Sequence, residues 1–160
     1  MMFLHLDKGE KDHWLPVLFD LLYENMSVIA PSGMSYEDEK AQWLSQVSPA
    51  LDKAPRQIVL GFAEEELVGY MQYYLRQQML MVEEIQLKRE YQKTSLFYGF
   101  CKYLASVVPE DLQTVEAYAD KRNLNSICLM ERLGMTACET DTQFVHMRGR
   151  VEQMGFLFRK

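Results

Sequence analysis

Residues 82–97 are the most informative part of the sequence and read VEEIQLKREYQKTSLF. Its first six residues suit a β-strand, its basic middle suits a turn, and an apolar helix follows from Ser95. The first turn of a helix has unpaired backbone N–H groups and the positive end of the helix dipole, so it can bind phosphate. Lys88, Arg89 and Lys93 could add positive charge there. A solvated loop without a ligand is the alternative interpretation of the same residues.

Strand and helix patterns continue on both sides of this stretch. Upstream, an apolar stripe at helical spacing runs from Leu15 to Met26, with Pro16 expected in the first turn, where it is tolerated. Ser35 is expected to cap a second helix. The remaining elements, in chain order, are strands at 57–62, 67–75 and 79–87, a helix at 95–108, a strand at 114–118, a helix at 123–133 and a strand-rich segment at 142–151.

These patterns predict the order β-α-α-β-β-β-α-β-α-β, with a short strand at the N-terminus and room for another near 135–138. The fold class is α/β (α+β), a single domain over residues 1–160 in which helices cover a central sheet. The runs at 57–62 and 67–75 are expected to pair as an antiparallel hairpin. The helix from Ser95 is expected to cross over between parallel strands, and Gly134 is expected to end the last helix.

The composition narrows the classes of function. The chain has 160 residues, of which 17 are basic and 23 acidic, and its formal net charge is −6. This balance argues against nucleic-acid binding, which needs a basic surface. No apolar run approaches the roughly 18 residues of a membrane helix, and three cysteines without C-x-x-C spacing argue against a zinc site or a disulfide framework. We therefore expect a cytoplasmic protein with small ligands, no metal, and no membrane or nucleic-acid partner.

Three motifs resemble those of the GNAT N-acetyltransferase superfamily. Residues 83–92, EEIQLKREYQ, precede an apolar helix and look like the acetyl-CoA-binding segment of that family. Residues 123–135, NLNSICLMERLGM, resemble its second signature, an Asn followed by an apolar helix that ends in Lys/Arg-Leu-Gly-Phe. The hairpin with its acidic turn and Val68-Gly69-Tyr70 is also typical. The resemblance covers residues 57–150 and the order and length of the two N-terminal helices.

The resemblance implies a GNAT-like acyl-CoA N-acyltransferase fold, in which helices flank a mixed and splayed central sheet. It implies acetyl-CoA as co-substrate, in a cleft between the strands at 82–87 and 114–118, and direct attack of an amine on the acetyl thioester. The residues implied to hold the cofactor are Ile85, Gln86 and Leu87 at the pantetheine arm, Gln92, Lys93, Thr94, Ser95, Leu96 and Phe97 around the pyrophosphate, and Asn123.

The loop before the crossover helix departs from the family pattern, which is Gln/Arg-x-x-Gly-x-Gly/Ala. Gln92 matches, but Ser95 and Phe97 stand at the glycine positions. A serine still supplies a backbone N–H. Phe97 either blocks the approach of phosphate to the backbone or packs into the core beside a slightly re-aimed loop.

A second departure concerns proton donation. Met130 stands where many family members have a tyrosine that protonates the leaving thiolate, and a thioether has no proton to give. Tyr118 and Tyr98 are the candidate substitutes, with ordinary packing as the alternative for both. For Asn123 the alternative role is that of a helix N-cap.

Glu83 and Glu84 are the candidates for the catalytic base. Side chains alternate along a strand, so one of these adjacent carboxylates should face the cleft and take a proton from the amine. The alternative is that both are surface charges.

The acceptor site is expected between the 26–34 loop and the C-terminal strands. Methionine and tyrosine side chains make this region adaptable and aromatic, with the core as their alternative place: Met26, Met34, Tyr36, Tyr70, Tyr73 and Tyr74. The acceptor would be an amine of a small molecule or a protein. A homodimer is also expected, because edge strands often pair between subunits in this family.

Two other functions stay open. One is a GNAT-fold binding or regulatory module with impaired catalysis, and the other is an unrelated α+β domain.

Overall fold

The computed structural model describes residues 1–53 and 55–155. Its strands are β1 (Met2–His5), β2 (Gln57–Ala63), β3 (Glu66–Arg76), β4 (Met79–Leu87), β5 (Thr114–Asp120), β6 (Thr136–Thr140) and β7 (Phe144–Arg150). Its α-helices are α1 (Lys11–Ile29), α2 (Tyr36–Asp52), α3 (Leu96–Val107) and α4 (Leu124–Arg132). Short 3-10 turns precede α1 and follow β4. This order confirms the predicted one, and the further strand near residue 135 is present as β6.

The strands form one sheet in the order β1-β2-β3-β4-β5-β7-β6. Only the β4–β5 pair is parallel, and α3 makes the crossover between them, as predicted. The β2–β3 hairpin is antiparallel, also as predicted. Its turn is shorter than the acidic run suggests, because Glu64 adopts a positive φ of 55° and Ala63 already pairs with Glu66.

β4 and β5 pair over only four positions, from Met79 opposite Thr114 to Val82 opposite Ala117. At this point β4 carries a bulge: Val82 pairs with Tyr73 of β3 and Glu84 with Gln72, so Glu83 is an extra residue. A bulge bends its strand and increases the local twist. β4 therefore turns away from β5 beyond Val82 and opens a cleft in the middle of the sheet, which is the splayed arrangement that the resemblance implied.

The core lies in two layers, one on each face of the sheet. On one face, α3 packs against β3, β4 and β5 through side chains such as Phe100, Leu104 and Leu80. On the other face, α1 and α2 pack against β2 and β3 through side chains such as Leu18 and Ile58. No helix in the described ranges is both long and apolar enough to cross a membrane.

Two of the predicted helix signals are present, and a third is placed differently. Ser35 Oγ accepts from the Asp38 N–H at the start of α2, and Gly134 follows α4 with a φ of 88°, both as predicted. The prediction for Pro16 is wrong, because α1 begins at Lys11 and places the proline inside the helix. The missing hydrogen bond would have gone to the carbonyl of Asp12, an exposed residue whose carbonyl water can solvate instead.

Candidate active site

A cleft of about 440 Å³ lies where β4 and β5 separate. Both strands contribute to its walls, together with the C-terminal part of α1, the loop after it, and the inner faces of α3 and α4. The predicted site residues that line it are Glu83, Glu84, Ile85, Gln86, Phe97, Tyr118 and Asn123. The sheet therefore brings the candidate base, the candidate acid and part of the cofactor segment to one cavity.

Glu84 is a half-buried acid on the wall of this cleft. It lies on the face covered by α1 and α2, where its carboxylate accepts a hydrogen bond from the hydroxyl of Tyr70, itself fully buried. Desolvation by burial raises the pKa of Glu84 to about 7, although the hydrogen bonds from Tyr70 and Trp43 favour the ionised form. A carboxyl group with that pKa exchanges its proton readily near neutral pH, which is what a general base must do.

Glu83 also lines the cleft, but it is engaged by two side chains. Arg56 forms an ion pair with one of its carboxylate oxygens, and Gln72 Nε2 donates to the other at 3.1 Å. Glu83 is the extra residue of the bulge, so its side chain does not follow the regular alternation of side chains along β4. Of the two adjacent glutamates, Glu84 has the environment of a base and Glu83 that of an ion-pair partner.

The backbone of β4 beyond the bulge has one edge turned toward the cleft. The Leu87 carbonyl accepts from Asn25 Nδ2 at 3.0 Å and from Gln92 Nε2 at 3.1 Å, so it points away from β3. Strand residues alternate between their two neighbours, so the N–H and C=O groups of Ile85 point the same way as those of Leu87, and those of Gln86 point to β3. Among the three predicted pantetheine contacts, Ile85 has backbone groups that point away from β3, beyond the last β4–β5 pair of the described sheet.

The loop before α3 divides into structural and exposed residues. Gln92 Nε2 also donates to Asn25 Oδ1 at 3.2 Å, so its side chain ties the loop to α1. The Leu96 side chain is buried in the core, and its N–H donates to Thr94 Oγ1. Lys93, Thr94 and Ser95 are exposed.

The start of α3 leaves groups that an anion could use. Within the described chain, the N–H groups of Phe97 and Tyr98 take no hydrogen-bond partner, and neither does the side chain of Lys93. The other two cations of the basic turn are engaged: Lys88 pairs with Glu66, and Arg89 donates to the Glu24 carbonyl at 3.2 Å.

Phe97 packs against the core and forms part of the cleft wall, so the packing alternative for this residue is confirmed. Its ring meets the Tyr98 ring edge to face at 5.6 Å. Below it, the thiol of Cys101 also lines the cleft, and burial raises its pKa to about 12. A thiol that stays protonated is a poor nucleophile.

The opposite wall carries Asn123, Met130 and Tyr118. Asn123 Oδ1 accepts from the Ser126 N–H at 3.2 Å and caps α4, so the capping role is confirmed. Met130 contributes an apolar surface. Tyr118 is 54% exposed and lies just beyond the last β4–β5 pair, with its ring stacked on His146 at 4.4 Å.

The aromatic acceptor region was predicted only in part. Met26 lines the cleft, but Tyr70 and Tyr73 are buried in the core, and Tyr73 shares a hydrogen bond with His5 at 2.8 Å. Tyr36 packs on Phe19 and bonds to Lys40 instead. Strand alternation and an unseen bulge decide which tyrosines turn inward, and neither can be read from their spacing.

Sequence reasoning missed two groups of residues. The first is Asn25, which is 7% exposed and connects α1 to both Gln86 and Leu87; a polar residue seven positions after Leu18 on the apolar stripe was the available signal. The second is the polar network of the C-terminal strands, in which Asp120 holds Arg122 at 2.7 Å at the cleft margin. Only the strand register brings that network together.

Among the described residues, no group of three or more His, Cys, Asp or Glu side chains is placed to hold a metal ion.

The sequence matches no family model and no curated protein. Solved structures resemble the fold at low sequence identity. An acetyltransferase from Thermus thermophilus superposes with a TM-score of 0.71 at 15% identity, covering 94% of this chain and 97% of that one. The PaiA N-acetyltransferase from Thermoplasma acidophilum, in complex with coenzyme A, gives 0.67 at 15% identity over 94% and 99% of the two chains.

A protein from Desulfovibrio desulfuricans, described as an acetyltransferase of the GNAT family, gives a TM-score of 0.68 at 14% identity over 94% of this chain and 98% of that one. At such identities the likeness is one of fold. The chain therefore has the fold of the GNAT acetyltransferases, with the mixed sheet and open cleft that the sequence resemblance implied.

Proposed function

We propose that this protein is an acetyl-CoA-dependent N-acetyltransferase that acts on an amine of a small molecule or a protein. The observation that carries the proposal is the position of Glu84: a carboxyl group with a pKa raised to about 7 on the wall of the cleft between β4 and β5. The fold, and a structural neighbour solved with coenzyme A, support the choice of co-substrate.

The chain offers groups for each part of acetyl-CoA. The backbone groups of Ile85 that point away from β3 suit the pantetheine amides, with Gln86 and Leu87 holding that edge of β4 in place. The unpaired N–H groups of Phe97 and Tyr98 and the ammonium of Lys93 suit the pyrophosphate. The other residues that the resemblance implied support either the loop before α3 or the opposite wall of the cleft: Gln92, Thr94, Ser95, Leu96 and Asn123.

Acetyl-CoA, when bound, supplies a thioester whose carbonyl carbon an amine attacks directly. Glu84 takes the proton that the amine nitrogen loses as the new N–C bond forms and the C–S bond breaks. The thiolate that leaves accepts a proton from water or from Tyr118, whose hydroxyl has no hydrogen-bond partner among the described residues. The protonated Cys101 thiol argues against an acetylated cysteine intermediate.

A binding or regulatory module without catalysis is the second candidate. The observation that favours it is Met130, which presents a thioether on the cleft wall where the family resemblance would place a proton-donating tyrosine. A thiol of pKa about 8.5 leaves tolerably well as a thiolate, so this substitution lowers the rate but need not abolish it.

The test combines binding and turnover. Purified protein is titrated with coenzyme A by calorimetry, and is then incubated with acetyl-CoA and a panel of alkylamines and lysine peptides. The proposal predicts saturable binding, amine-dependent release of free thiol, and an amine heavier by one acetyl group in the mass spectrum. Binding without acetylated amine would favour the module, and the absence of binding at millimolar coenzyme A would contradict the enzyme and leave the module as the leading candidate.

A further inference from the structure

A row of three side chains crosses the C-terminal strands on the face opposite α3 and α4. Tyr118 of β5 lies opposite His146 of β7, and His146 lies opposite Glu139 of β6. The row borders a hollow of about 290 Å³, which Thr140, Asp141 and Phe144 complete. Tyr118 and Phe144 also line the main cleft, so the hollow adjoins it.

His146 is the buried member of this row, with 7% of its surface exposed. Its Nε2 lies 2.7 Å from Glu116 Oε2, and Arg148 Nε donates to Glu116 Oε1, also at 2.7 Å. Because a carboxylate beside an arginine is ionised and only accepts, the imidazole hydrogen belongs on Nε2. His146 Nδ1 then carries a lone pair.

That lone pair has no partner in the part of the chain that the structure describes. Nδ1 of His146 is buried there without a hydrogen bond, and the only carboxylate oxygen there within ion-pair distance of it is Glu139 Oε2, at 4.0 Å. Two acceptors four ångströms apart are an arrangement that one ammonium group satisfies through two of its N–H bonds. The aromatic rings of Tyr118 and Phe144 at the border add a surface that favours a cation.

We propose that this hollow binds a second ammonium group of the acceptor, so that the preferred acceptors are linear diamines or longer polyamines. One amino group would react in the cleft beside Glu84 while the other donates to His146 Nδ1 and Glu139. The inference rests on the proposed function, because it names the class of amine for the same site.

The test uses linear diamines from diaminopropane to diaminooctane and monoamines of equal chain length, with thiol release from acetyl-CoA as the readout. We expect kcat/KM for the best diamine to exceed that of its matched monoamine by about fivefold, because an exposed ion pair contributes up to about 1 kcal/mol. Equal kcat/KM values at every chain length would overturn the inference while leaving amine acetylation intact.

Two variants test whether the preference for diamines arises at this hollow. Glu139→Gln removes a charge from a side chain that is 82% exposed, so the fold should tolerate it, and it should reduce the diamine preference by about fivefold without changing monoamine turnover. His146→Phe keeps a ring against Tyr118 and removes the lone pair, with the same expected loss. Glu65→Gln, in the β2–β3 turn, is the matched charge control. An unchanged diamine preference in Glu139→Gln would contradict the assignment.

A binding experiment separates this inference from the proposed function. In the protein without acetyl-CoA, diaminobutane should shift the backbone NMR signals of residues 139–146, and butylamine should not. Such shifts without any acetyl transfer would uphold the ammonium site and refute the proposed activity. A ¹⁵N spectrum of the free protein that shows hydrogen on His146 Nδ1 would overturn the site, because that nitrogen would then donate and could not accept from an ammonium group.

Discussion

At the scale of single residues, the chemistry depends on how one carboxyl group is buried. Glu84 accepts a hydrogen bond from Tyr70, but it lies too deep in the protein for that bond to offset the loss of water. Its neighbour Glu83 has the same side chain, and Arg56 compensates its charge. The two residues therefore have different tasks because of what surrounds them.

Glu84→Gln should lower kcat by about 10²–10⁴-fold and leave the dissociation constant of coenzyme A nearly unchanged. A base must be ionised to act, so the wild-type rate should rise with pH and reach half of its limiting value near the pKa of Glu84, about 7. The variant should lose this rise. Steady-state rates between pH 5.5 and 9 test this, with Glu65→Gln as control. A wild-type pH profile retained in Glu84→Gln would assign the base elsewhere.

The same pKa predicts how stability depends on pH. The folded-state pKa of Glu84 is about 7 and its ordinary value is 4.5, so between these pH values the folded protein holds a proton that the unfolded chain has lost. The stability linked to this proton is present below pH 4.5 and is lost as the pH rises through 7. Relative to wild type, Glu84→Gln should gain up to about 3 kcal/mol of unfolding free energy between pH 4.5 and 8. Urea titrations measure it, and a pH-independent difference would contradict it.

The sequence predicts that a glutamate of this pair faces the cleft, but it cannot say which one. The alternation rule needs a regular pleat, and the bulge at Glu83 interrupts it. The place of Tyr70 and Tyr73, acceptor site or core, stayed open for a related reason, since β3 is covered on both faces and alternation then no longer separates core from surface. The capping roles of Ser35 and Asn123 were predictable because they depend on local sequence alone.

At the scale of elements, Asn25 connects three parts of the site. From α1 it donates to the Gln86 side chain and the Leu87 carbonyl of β4, and it accepts from Gln92 of the cofactor loop. Gln86 and Glu84 are two positions apart on β4, so their side chains lie on the same face of the strand. Asn25 of α1 therefore holds the face of β4 on which Glu84 lies. The order of helices and strands along the chain was predictable from periodicity, whereas this contact joins residues more than 60 positions apart and leaves no local signal.

Asn25→Ala should lower the free energy of unfolding by about 2 kcal/mol, because it leaves the side-chain oxygen of Gln86, a buried residue, without its amide partner. It should also weaken coenzyme A binding, since the loop loses its connection to α1. Urea denaturation and calorimetry test both effects. Gln46→Ala is the control, because Gln46 is exposed on α2 and should change neither quantity by much. Wild-type stability in Asn25→Ala would show that water replaces the amide at no cost.

The start of α3 makes a separate prediction about phosphate. Lys93→Gln should raise the dissociation constant of coenzyme A by about fivefold, because one charged contact near a helix N-terminus contributes about 1 kcal/mol. Affinity for pantetheine, which lacks the pyrophosphate, should stay the same. Lys102→Gln, an exposed position further along α3, is the matched control. An equal loss for coenzyme A and pantetheine would mean that Lys93 acts through the shape of the loop.

At the scale of the whole molecule, the N-terminal strand completes the sheet far from the cleft. β1 pairs with β2, and Phe3 packs its ring edge to face on Phe100 of α3 at 4.8 Å. Gly61 and Gly99 make the space for that ring: a Cβ at Gly99 would lie 2.5 Å from the Phe3 ring, and a Cβ at Gly61 2.7 Å from Phe100. These glycines are needed because the backbone and the rings approach closely, since neither has a positive φ.

Gly99→Ala should therefore destabilise the protein by about 1–3 kcal/mol, even though alanine is the better helix former, because the Phe3 ring must move. Phe3→Leu shortens the side chain and should cost about 1 kcal/mol on its own. In the double variant the clash is absent. Its loss of unfolding free energy should therefore be about 1 kcal/mol smaller than the sum of the two single losses. Urea denaturation of the four proteins measures this coupling. Strictly additive costs would show that β1 can shift as a whole, and that its place at the edge of the sheet is set by β2 and not by α3.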